Sequence, residues 1–69
     1  MGRLEDAIAD YSRAIKLDAK QASTYNSRGL ALDRAGRRQE ALADFTTAME
    51  LEANNPVYWH NRGFAYRNM

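Results

Sequence analysis

The 69-residue sequence contains no cysteine, one proline, one histidine and four glycines. Without cysteine there is no disulfide and no thiolate metal site. The single histidine, His60, has only Pro56 and Phe64 one helical turn away, so it has no companion ligand. No metal or other cofactor is expected. No apolar run approaches the ~20 residues that a membrane-spanning helix needs. The first residues, Met1 to Glu5, lack the long apolar stretch of a signal peptide. The formal charge of +1 is too small to attract nucleic acid or an anionic membrane. Charges of both signs are interleaved, as on a solvated surface. The expectation is a soluble, cytoplasmic chain that binds neither nucleic acid nor membrane. A chain this short forms at most one domain and buries only about 60% of its unfolded surface, so its stability is marginal.

What the sequence does contain is a repeat. Sliding it by 34 residues sets Gly2 on Gly36, Arg3 on Arg37, Ala7 on Ala41 and Ala9-Asp10 on Ala43-Asp44. The same shift sets Ala14 on Ala48, Leu17 on Leu51, Ala19 on Ala53, Arg28-Gly29 on Arg62-Gly63 and Ala31 on Ala65. Other pairs keep their chemistry: Ile8 with Leu42, Tyr11 with Phe45, Ile15 with Met49, Tyr25 with Trp59. A fixed period of this length marks stacked supersecondary units.

Periodicity makes those units helical. Leu4, Ala7, Ile8, Tyr11, Ala14 and Ile15 form one stripe, repeated by Ala41, Leu42, Phe45, Ala48 and Met49. Tyr25, Arg28, Gly29 and Leu32 form a second kind, repeated by Trp59, Arg62, Gly63 and Tyr66. Four helices are predicted, at about 3–18, 22–35, 38–52 and 56–68. Gly36 suits a left-handed residue just past the second helix. Asn55 is a candidate N-cap, and Pro56 suits the first helical position, where its missing N–H costs nothing. The short loops make sequential helices antiparallel.

Glycine inside a helix costs ~1 kcal/mol relative to alanine. Gly29 and Gly63 are therefore read as points of close helix approach, opposite the alanine stripes. Inter-helix packing is assigned to Tyr11, Tyr25, Gly29, Ala41, Phe45, Ala48, Trp59, Gly63 and Tyr66. A half-buried Arg28 needs an acceptor. Asp44 on the next helix is the proposed partner, with Asp10 a competitor and a head turned to water the alternative.

At this point the sequence resembles the tetratricopeptide repeat. Tyr25…Arg28-Gly29…Leu32, followed by Ala41…Phe45…Ala48, matches one complete unit. Three positions depart from the motif: Leu32 stands where an aromatic is common, Arg28 and Arg62 where leucine is common, and Ala53 where proline is usual. The related 35-residue RNA-binding repeats fit less well, because the spacing here is 34. The resemblance implies an all-α fold of antiparallel helix-turn-helix repeats stacked as an α-solenoid. Residues 1–21 would be the second helix of a preceding repeat, 22–55 a complete repeat, and 56–69 the first helix of a following one.

The resemblance also implies a protein-interaction scaffold whose first-type helices line a concave groove for a peptide or partner protein. The positions of those helices that packing does not use are the candidates: Asn26, Leu30 and Asp33 on one, His60, Asn61, Phe64 and Arg67 on the other. Ser23, Ser27, Arg34, Val57 and Asn68 complete the two faces. Amides, two apolar residues and charges together can hold a peptide backbone and grip one apolar side chain. Gripping a C-terminal carboxylate, as some family members do, is disfavoured because no lysine lies on either groove helix.

Catalysis is not expected. Ser12, Ser23 and Ser27 have no histidine on their own helices to activate them. Glu5, Asp6, Asp10, Glu40 and Asp44 read as solvated charge on the outer helices. An amphipathic membrane helix also fails, because the apolar stripes are needed by one another. The alternative to a peptide groove is a self-assembling repeat module without a dedicated ligand. Met1 and Met69 share one phase of the repeat, and no polar capping helix covers either outer face. Head-to-tail association or helix exchange is therefore expected, with Arg62 meeting Asp10 of the next molecule.

Overall fold

The computed structural model describes residues 2–68. Met1 and Met69, the outermost residues of the two flanking segments expected above, lie outside the described residues. Four helices follow one another: α1 (Gly2–Leu17), α2 (Ala22–Arg34), α3 (Arg38–Leu51) and α4 (Pro56–Arg67). No strand occurs among the described residues. The fold is all-α, as the periodicity requires.

The loops are set by local chemistry. After α2, Gly36 takes φ +82°, a left-handed backbone that a side chain would strain. Its N–H donates to the Asp33 carbonyl (3.0 Å), and the Arg37 N–H donates to the Leu32 carbonyl (2.9 Å). Those two bonds satisfy carbonyls that the last helical turn leaves free. At the start of α4 the Asn55 side chain accepts from the Val57 N–H (3.0 Å), with Pro56 beside it in the first turn. The turns after α1 and after α3 are pinned alike. Tyr25 Oη donates to the Ala19 carbonyl and Trp59 Nε1 to the Ala53 carbonyl, both at 3.0 Å and one repeat apart.

Packing follows the small residues. Lying most extensively against α3, α2 also meets α1 and touches α4, and α3 meets α4. One cluster joins Ile8, Ala31, Leu32, Ala41, Phe45 and Ala65, and a second joins Ala22, Ala48, Met49 and Tyr58. Phe45 is 1% exposed and lies over Gly29. A Cβ added at Gly29 would stand 2.6 Å from Phe45 Cε1. Gly29→Ala gains ~1 kcal/mol of helix propensity, but forcing a packed ring aside costs about 1–3 kcal/mol. Because this ring is 1% exposed, the expected result is a net loss of up to about 2 kcal/mol, measured by urea denaturation.

Three residues assigned to inter-helix packing do not pack between helices here. Trp59 is 50% exposed and Tyr66 59% exposed, and nothing lies within 4 Å of a Cβ built at Gly63. Their face of α4 points away from α3, whereas the equivalent face of α2 is covered by α3. The residues that seat α4 are Tyr58 and Ala65, both buried. Tyr58 was not anticipated, because the repeat sets it against the smaller Thr24. Tyr11 and Tyr25 are half-buried, while Gly29, Ala41 and Ala48 are buried.

Candidate functional site

The candidate surface is built on α2 and α4, which touch one another on one side of the molecule. Asn61 Nδ2 donates to Asn26 Oδ1 at 2.8 Å, joining the two helices directly. Two of the groove candidates are thus brought together, and each amide spends one hydrogen-bonding group on the other. One turn on from Asn26 stands Leu30, 38% exposed; one turn on from Asn61 stands Phe64, 50% exposed. Val57, in the first turn of α4, is 53% exposed. His60 and Arg67 are exposed on the same helix.

Asp33 departs from the expected arrangement. Its Oδ1 lies 3.2 Å from Arg38 Nε, off-line for a hydrogen bond, and its side chain is only 15% exposed. The carboxylate is held toward the start of α3 and is not a free groove acid. Leu30 also faces a shallow cleft of about 200 Å³ shared with Leu4, Ala7 and Tyr11 of α1. The apolar part of the surface therefore reaches around α2 toward α1.

The polar anchor beneath this surface is an ion pair. Arg28 Nε and Nη2 donate to Asp44 Oδ2 and Oδ1, both at 2.7 Å, and Arg28 Nη1 donates to Ser12 Oγ at 3.2 Å. Ser12 Oγ in turn donates to the Ile8 carbonyl at 2.8 Å. One guanidinium thus ties α1, α2 and α3. The hydrogen bonds that Arg28 donates to Asp44 hold it above its ordinary pKa, against the opposing pull of burial. Asp44, counted above among solvated carboxylates, is 5% exposed. Asp10, the competing partner for Arg28, bonds to Arg13 instead. Burial likewise pushes the Tyr58 phenol above its usual pKa. The role of Ser12 was not legible, since a hydroxyl bonded to its own helix is the common fate of a helical serine.

Among the described residues, no three His, Asp or Glu side chains gather closely enough to hold a metal ion. Among them, too, no helix is long and apolar enough to cross a membrane. A family model described as TPR repeat matches residues 1–36, and one described as tetratricopeptide repeat matches residues 22–55. The chain belongs to the tetratricopeptide repeat family. Repeats of this family are generally non-catalytic scaffolds for protein–protein interaction. No curated protein matches the chain.

Proposed function

We infer that the shared face of α2 and α4 holds a segment of another polypeptide, and that the chain itself catalyses nothing. The exposed apolar set Leu30, Val57 and Phe64, standing beside the Asn26–Asn61 amide pair, carries this reading. Apolar side chains exposed next to amides suit a peptide that inserts one apolar residue and hydrogen-bonds through its backbone. With Asp33 drawn off to Arg38, His60 and Arg67 leave the α4 side of the face without a carboxylate. A peptide with an acidic residue near its apolar one is the better fit.

The test is selection of binders from a random peptide library on the wild-type chain. Their affinities are then compared with those for a Leu30→Ala, Phe64→Ala variant. Both side chains are exposed, so the fold should survive. The expected loss is tenfold or more, equivalent to about 1.4 kcal/mol. Equal affinity for the two proteins, or amide shifts confined to α1 and α3, would rule the groove out.

A further inference from the structure

We propose that the open face of α4 takes α1 of a second copy of this chain, so that molecules join head to tail. The joint repeats the contact already made by α2 and α3, and it does not depend on the peptide groove. Two features key α2 to α3: Gly29 lies under the Phe45 ring, and Arg28 clamps Asp44. Each has an unfilled counterpart one repeat away. On α4, Gly63 has nothing within 4 Å of its Cβ position. Beside it Arg62 lies over the rings of Trp59 and Tyr66, 5.5 and 5.9 Å from their centroids, and pairs with no carboxylate among the described residues. On α1, Tyr11 stands at the position of Phe45 and Asp10 at that of Asp44. The Asp10 side chain is 68% exposed and, among the described residues, is engaged only by Arg13 of its own helix.

The complementarity is local: α4 contains Arg62 and Arg67 and no acid, while α1, whose acids are balanced by Arg3, Arg13 and Lys16, offers Asp10 next to Tyr11. The spacing matches as well. Ala7 and Ala14 flank Asp10-Tyr11 as Ala41 and Ala48 flank Asp44-Phe45. The arriving α4 would also border the cleft between α1 and α2, where Leu4 and Leu30 are accessible. Because the two faces differ, a joined pair still has one α4 face and one α1 face open at its two ends. The assembly therefore extends, or closes as a ring.

Sedimentation velocity from micromolar to millimolar concentration tests this, with helical content checked by circular dichroism. Wild type should sediment faster as concentration rises. Arg62→Glu and Asp10→Arg should each weaken association by about tenfold or more, because like charges then meet at the joint. Mixing the two variants should restore it in alternating order, since the introduced carboxylate of one meets the introduced guanidinium of the other. Gly63→Ala should raise the melting temperature at high dilution by a few degrees, through helix propensity. It should nevertheless weaken association, because the added methyl fills the seat of Tyr11. Three results overturn the proposal: a monomer at every concentration, self-association indifferent to both charge reversals, or a mixture no more associated than its components. Unchanged association in Gly63→Ala overturns the glycine–tyrosine seat.

Discussion

Phe45→Ala is expected to leave the chain unfolded at 25 °C. Among the described residues Phe45 is the one large side chain below 2% exposure, and it belongs to the cluster that joins α1, α2, α3 and α4 through Ile8, Ala31, Leu32, Ala41 and Ala65. Truncating a buried phenylalanine costs about 3–5 kcal/mol in lost burial and residual cavity. A core in a chain of this size, with no disulfide or metal, rarely supplies more than about 3–5 kcal/mol in all. The two quantities are equal in scale, so the folded state loses its margin. Repeat proteins hold together by nearest-neighbour contacts. Since α2 and α3 form the middle pair, their separation leaves α1 and α4 with little to pack on. Circular dichroism at 222 nm, the standard helix band, should show most of the helical signal gone. The exposed Phe64→Ala should stay within about 0.5 kcal/mol of wild type. A folded Phe45→Ala with a melting curve near wild type would mean that the core lies elsewhere.

The second large effect is an asymmetry. Arg28→Ala should destabilise the chain more than Asp44→Ala does. The Arg28 side chain is 25% exposed and Asp44 only 7%. Removing the arginine strands a carboxylate in a place that water barely reaches, and breaking a buried pair in this way costs about 3–5 kcal/mol. Ser12 Oγ loses its guanidinium partner at the same time. Removing the carboxylate is milder. Arg28 keeps Ser12, lies 5.9 Å from the Tyr25 ring centroid, and can turn its head outward along an apolar stem. The cost there is about 1–3 kcal/mol, that of an unmade hydrogen-bonded contact. Urea midpoints for the two variants settle the order. Equal losses would show that the site is wet enough to hydrate Asp44 alone.

Much of this architecture was legible because the helical stripes occur twice. The helices and the facing of Arg28 and Asp44 follow from a period of 34 combined with a helical stripe, while the Gly36 turn and the Asn55–Pro56 start, the latter present once, follow from local backbone chemistry. Where the copies differ, the comparison failed. Tyr58 falls opposite Thr24, so its burial against Ala48 and Met49 had no precedent in the first unit. Gly29 and Gly63 sit in the same Arg-Gly context, yet the first lies under the Phe45 ring of α3, whereas among the described residues nothing covers the second. The Asn26–Asn61 bond links residues 35 apart, one step off the repeat, and depends on how α2 and α4 cross. The Asp33–Arg38 contact was hidden for a similar reason. It spans the turn at Gly36, whose path no stripe describes.

Trp59 is the chain's only tryptophan. Its indole nitrogen is tethered to the Ala53 carbonyl, and half of its surface remains wet. The emission of an indole shifts with the polarity around it. Any body that settles there drains the ring and turns its light bluer, so the molecule carries a gauge of its own occupancy that requires no dye.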